Sequence, residues 1–493
     1  MSKKNFIFSA ILLLAIVSVS YLSLSAVNTN NAIDNKQNED NVEIFLNPKS
    51  SGYAVAERWN DTTVEIVNEV AVSADGKYMA VVTNWDATPG SDIFFYNNSD
   101  HDGIPMWSYD AAISFDSLAI SADGSYIVAG SQASNLAYLF NNSVPESGNN
   151  KLPIWWLDPG VNVGSVDISA DGNYIVAGVG SNVFVYNNSY PSTGFDKTAE
   201  YEWVNDTGST VQSVAISSDG KYVVAGTNEV VGIDNVFFWN TTEYVYNQEQ
   251  HPMWSYNTST DMNSVAISFK GDHIVAGGNV QAAGDELFVF NKSADDGKPE
   301  WSHSLSDINV LSVAISEANG EYIAVGGHWT IDSGKVFFFN RSDYKSQPMW
   351  EYGTNSIAGS VAITADGEYI VAGTQYNLGF FDHLYLFNKS AEGVKKPEWS
   401  FEMDQHINSV SISSWGNYIA AGGTYTGGTG KAHLFYHARP IPGIYFGNGG
   451  GDDDDDDDKE GAIPFGNHYL LIMAIAIASL VIITKRKAVF SKK

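Results

Sequence analysis

Residues 340–374 read NRSDYKSQPMWEYGTNSIAGSVAITADGEYIVAGT. An Asn-x-Ser triplet opens the stretch, and a proline stands two residues ahead of a tryptophan. A small apolar run (SVAIT), a turn (ADGE) and a second run (YIVAG) follow. The apolar residues alternate or run on for a few positions, with aromatic and β-branched types enriched, which is strand patterning rather than helical patterning. Asp-Gly between two such runs is hairpin chemistry, because both residues tolerate tight-turn dihedrals. Proline cannot donate to a central ladder, so the tryptophan run belongs at a sheet edge.

The same order recurs from residue 53 to residue 438. The hairpin glycines Gly76, Gly124, Gly172, Gly220, Gly271, Gly320, Gly367 and Gly416 lie 47 to 51 residues apart. Trp59, Trp107, Trp155, Trp203, Trp254, Trp301, Trp350 and Trp399 keep step with them. Two independent markers with one period define a repeat array, with a period close to that of four-stranded propeller blades. In the fourth copy the strands read SVAIS (213–217), YVVAG (222–226), VFFWN (236–240) and MWSY (253–256).

A lone four-stranded sheet has open edges and an unburied face. Eight of them packed around an axis remove both problems, so the fold class is all-β: an eight-bladed β-propeller of four-stranded antiparallel blades. Small SVAIS-type strands suit the crowded centre, and tryptophan and aromatic third strands suit the wider packing between blades. The array begins with a tryptophan strand and ends with a third strand. The strand near Trp59 is therefore expected to complete the last blade and lock the ring.

SVAISADGKY-like copies followed by VVAG and an aromatic strand resemble WD40-type blades. The run 288–302 (FVFNKSADDGKPEWS), with Gly297, Lys298 and Trp301 in a Gly-Lys-x-x-Trp pattern, is similar to the blades of quinoprotein (PQQ-type) propellers, also eight-bladed. That second resemblance implies a pyrroloquinoline quinone resting on a vicinal disulfide beside calcium. The chain has no cysteine, so the disulfide is impossible and PQQ is not expected. Non-catalytic propellers of this type serve as scaffolds in envelope or extracellular assembly, and the resemblance implies that role.

The composition speaks for an extracellular address. The net charge is −31, from 57 acidic and 26 basic residues, which argues against a nucleic-acid partner and for a surface that attracts cations, calcium included. Residues 1–26 read as a signal peptide, with Lys3 and Lys4 ahead of an apolar run and a small-residue cleavage site. Residues 27–52 read as an exposed lead-in. Residues 439–467 hold a Gly/Asp spacer, 468–484 a transmembrane helix, and 485–493 a basic cytoplasmic tail that leaves the repeats outside the cell. A spacer, apolar helix and basic tail in this order resemble archaeal surface-protein anchors, some of which are removed by sorting enzymes.

Seven sequons fall at one repeat position, directly after the third strand: Asn97, Asn141, Asn187, Asn240, Asn291, Asn340 and Asn388. They are expected to carry N-glycans, and Asn60, Asn205 and Asn257 are further acceptors on the opposite rim. Asp75, Asp123, Asp171, Asp219 and Asp366 precede hairpin glycines and are expected to form turns, not a carboxylate ring. His433 and His437 are not expected to converge on a metal. No catalytic constellation and no metal site are assigned.

The loops between second and third strands vary while the framework does not, as binding loops on a rigid scaffold do. Trp85, Asp86, His328, Trp329, Asp332, Tyr376, Phe380, Phe381, Asp382 and Tyr425 are the candidate ligand-binding residues there. Aromatics beside carboxylates suit an extracellular protein or glycan partner. A quinoprotein-like or polysaccharide-acting enzyme is the competing expectation.

Overall fold

The computed structural model describes residues 55–438, apart from 64, 85–91, 101–102, 143–150, 193, 281–283, 295–296, 306, 331–332, 344–346, 376–381, 391–394, 404–405 and 426–427. The signal peptide, lead-in, spacer, transmembrane helix and basic tail read from the sequence lie outside the described residues.

Each SVAIS-type segment forms the first strand of a sheet, and the chain steps outward through three antiparallel neighbours. In the first blade these are Ile66–Val72, Tyr78–Asn84, Ile93–Asn97 and Trp107–Tyr109. Eight such sheets stand around an axis: the protein is an eight-bladed β-propeller. The eighth blade takes three strands from the end of the chain and its fourth, Val55–Thr63, from the start. That strand runs antiparallel to Gly430–His437, with Val55 opposite His437 and Thr63 opposite Gly430, the closure expected from the order of the markers.

The outer edge differs from the expectation in one blade. A two-residue strand, Gln248–Glu249, runs parallel to Trp203–Asp206 and makes the third sheet five-stranded. Tyr201, not proline, stands two residues ahead of Trp203, so this edge lacks the residue found there in six of the other seven blades.

Closure is repeated at three radii. At the hairpin turns, eight backbone hydrogen bonds link each turn to the next: Asp75 to Ala122, Ala122 to Ala170, Ala170 to Ser218, Asp219 to Phe269, Phe269 to Glu317, Ala318 to Ala365, Ala365 to Ser414, and Ser414 back to Ala74. Along the first strands, the N–H of one blade donates to a hydroxyl of the blade before it, as Val265 does to Ser213 Oγ (3.1 Å) and Val70 to Ser409 Oγ (3.2 Å). Seven of the eight junctions use serine, and the remaining one uses Glu69, whose Oε2 accepts from Leu118 N–H at 2.7 Å. Further out, every repeat tryptophan packs on a third-strand aromatic ring of the next blade. The series runs from Trp59 on Tyr96 (4.7 Å between centroids) to Trp399 on Phe435 (5.1 Å).

These contacts explain the repeat's composition. A Cβ on Gly277, in the second strand, would come within 2.3 Å of Val310 Cγ1 of the next blade. Glycine is what lets the blades approach. The turn aspartates behave as expected. Asp219 Oδ1 accepts from Ser217 Oγ at 2.8 Å and from Lys221 N–H at 3.2 Å, beside Gly220 at φ 70°.

Candidate functional site

Antiparallel pairing puts the second-to-third and fourth-to-first connections on one face of the ring. The hairpin turns and third-to-fourth connections are on the other. The expected ligand residues belong to the first face, which we call the loop face. Trp85, Asp86, Asp332, Tyr376, Phe380 and Phe381 lie outside the described residues. His328 and Trp329 end the long second strand of the sixth blade, Tyr322–Thr330, which pairs with Ser333–Asn340 well past the ring wall. Trp329 is 63% exposed, a large ring on a β-bulge between the paired residues His328 and Thr330. Tyr425, in the eighth blade, is half-buried under Lys431, whose Nζ lies 5.4 Å from the ring centroid. The described members thus stand on the sixth, seventh and eighth blades.

Asp382 is a correction. It is 1% exposed, accepts from Thr374 Oγ1 at 3.1 Å and pairs with His406 Nδ1 at 2.8 Å. Buried polar residues do the same work one position nearer the strand in other blades, immediately before the third strand. Asp92 accepts from Ala111 N–H (2.7 Å), Asn235 from Thr258 N–H (2.8 Å) and Glu286 from Leu305 N–H (2.6 Å), all buried. These side chains tie down the fourth-to-first connections and do not reach for a ligand. Burial raises the carboxyls of Asp92 and Glu286 above the usual range, against the hydrogen bonds they accept. The signal was present as a polar residue opening each of these aromatic strands.

On the turn face, the sequon asparagines shape their own loops. Asn97, Asn187, Asn240, Asn291 and Asn388 each accept at Oδ1 from both the amide and the hydroxyl of the residue two positions on. Asn340 accepts from the Ser342 amide at 2.9 Å. This is Asx-turn chemistry, and it accounts for the recurrence of Asn-x-Ser/Thr without reference to glycan. Asn205, one of the rim sequons, is 5% exposed within Trp203–Asp206, where a glycan has no room.

Sequence reasoning missed the axial channel, a cavity of about 820 Å³ walled by the first strands. Glu69, Asp167 and Glu317 line it, with Phe269 and Trp415 at its turn-face mouth. Asp167 takes the place of the alanine in SVAIS, and its Oδ2 accepts from Ile216 N–H of the next blade at 2.8 Å. Burial pushes Glu69 up to about 8 and Asp167 up to about 7, with hydrogen bonds to Leu118 and Ile216 opposing. His433 and His437 go to separate partners, Glu57 Oε1 (2.6 Å) and Gly416 O (2.9 Å). Among the described residues no group of three or more His, Asp or Glu could hold a metal ion.

No protein-family model matches the chain, and no curated protein matches it. Solved structures resemble it in fold. The chain is similar to Sqt1 of Chaetomium thermophilum at 14% identity and a TM-score of 0.56, over 76% of this chain and 96% of that one. It is also similar to the β-propeller domain of Cps50 (Swd1) from Myceliophteria thermophila, at 12% identity and a TM-score of 0.46 over 76% and 98% of the two chains. Kuenenia stuttgartiensis hydrazine synthase is similar at 14% identity and a TM-score of 0.49, over 67% and 97%. At these identities the likeness extends to the propeller fold and no further.

Proposed function

We propose that this propeller is a cell-surface binding scaffold that presents its loop face to an extracellular protein or glycan and does not catalyse. The observation that carries this reading is Trp329, 63% exposed at the tip of a strand-paired hairpin on a ring closed at three radii. A rigid aromatic anchor held out on fixed backbone binds at little entropic cost. The first and last strands support the orientation: Val55 and His437 face each other where the chain enters and leaves the ring on the turn face. The anchor read at 468–484 would then hold the turn face, with its third-strand N-glycans, towards the membrane. Calcium would act only through the acidic surface.

The test is a glycan array and envelope-protein binding with residues 27–448, with and without calcium, comparing the natural chain with Trp329→Ala. At least tenfold weaker binding by the variant at unchanged melting temperature is expected. Equal binding by both would remove Trp329 from the interface. The channel carboxylates are the one observation that favours an enzyme, and turnover of a polysaccharide abolished by Asp167→Asn would overturn the scaffold reading.

A further inference from the structure

In the third and seventh blades the third-strand turns bring together a lysine, an asparagine and a glutamate. In the seventh blade Lys395 Nζ lies 2.8 Å from Asn388 Oδ1 and donates as well to Asn388 O and Ser390 O. Asn388 Nδ2 donates to Glu398 Oε1. The third blade repeats the arrangement with other spacings. Lys197 Nζ is 3.2 Å from Asn187 Oδ1 and is held by Ser189, while Asn187 Nδ2 donates to Glu202 Oε1. Tyr244 donates its hydroxyl to the same glutamate. Lysine is almost never fully buried, yet Lys197 is 2% exposed and Lys395 8%, the latter with Nζ 4.6 Å from the Trp350 ring centroid.

From this geometry we propose that Lys197 with Asn187, and Lys395 with Asn388, condense into intramolecular isopeptide bonds, with Glu202 and Glu398 carrying the protons. The uncharged Nζ forms a bond to Asn Cγ. The proton it sheds passes to the glutamate, which delivers a proton to Nδ2; the Cγ–Nδ2 bond breaks and ammonia leaves. A primary amide and an amine become a secondary amide and ammonia, with no oxidant and no cofactor. Hydrogen-bond contact with Oδ1 already sets Nζ beside Cγ, so the reaction is unimolecular. Burial supplies the uncharged nucleophile, lowering Lys197 and pushing Lys395 down to about 8 against the pull of Glu398. A carboxylate bonded to the departing nitrogen is placed for general acid–base work.

The fifth blade is an internal contrast. Asn291 Nδ2 donates to Glu300 Oε1 at 3.1 Å, but among the described residues no lysine donates to Asn291. The inference does not depend on the binding role, and it withdraws Asn187 and Asn388 from glycosylation.

Peptide mapping of the folded full-length chain by mass spectrometry tests it. The segments 187–197 and 388–395 should each be lighter by one ammonia, with no tryptic cleavage after Lys197 or Lys395, and the Asn291 segment should show no ammonia loss, whether or not it carries glycan. Lys197→Arg and Lys395→Arg keep a capping cation but cannot condense, so each should restore the sequence mass at its own site. Sequence masses with normal cleavage at both lysines overturn the proposal. So does ammonia loss that persists in the arginine variants, which would be succinimide formation, or glycan on either asparagine.

Discussion

Glu69 stands where the other seven junctions have serine, and that single exchange makes one seam of the ring titratable. Its carboxyl is pushed up to about 8 by burial, well above its unfolded value. The folded state therefore binds a proton that the unfolded state has released over the interval between those values. Stability from this group is fully present below about pH 4.5 and is lost as pH rises through about 8. Glu69→Gln keeps an acceptor for Leu118 N–H and removes the ionisation. Because Glu69 is only partly buried in the channel wall, we expect a gain of only about 1–2 kcal/mol at pH 8 and none at pH 4. Chemical denaturation at the two pH values reads this directly; an equal effect at both would show that the Glu69 carboxyl ionises as readily in the channel as in the unfolded chain.

At the scale of the element, the unit is a strand whose side chain serves the neighbouring blade. Trp254 of the fourth blade lies 5.0 Å from Phe238 of its own sheet and 5.1 Å from Phe290 of the next, centroid to centroid. It is buried, and its Nε1 donates to Lys292 O. Trp254→Ala opens a cavity between two sheets and orphans that carbonyl, so a loss of about 3–5 kcal/mol is expected, measured by urea titration. A loss under about 1 kcal/mol would mean that the blades close over the gap. Strand type, hairpin position and the outer place of these tryptophans were legible because each depends on residues a few positions apart: period-two patterning, Asp-Gly, and proline two ahead of tryptophan. Inter-blade roles were not. The hydroxyl of Ser213 and the carboxyl of Asp167 look like variation within SVAIS until the next strand is laid beside them. Asp382 failed for the same reason, since a loop carboxylate and a buried cap share one local pattern and differ only in the His406 ring that the fourth-to-first connection brings against it.

For the whole molecule, everything rests on the strand that comes from the wrong end. Val55–Thr63 covers the outer edge of Gly430–His437, and Trp59 at 6% exposure fills the seam with the first blade against Tyr96. Removing residues 55–63 leaves an open strand edge, a template for another chain, and deletes one of the eight aromatic seams. The truncated chain should melt well below the full one, with at least the ~3–5 kcal/mol loss of a buried tryptophan, and should self-associate on size-exclusion chromatography. Restoring the strand at the other terminus separates edge protection from chain order. Val55 lies opposite His437 in an antiparallel pair, so a tight turn can carry the chain from His437 back into 55–63. Such a permuted chain should recover the melting temperature and the monomer. If it melts with the truncated form, the two-ended lock itself, and not the covered edge, holds the ring shut.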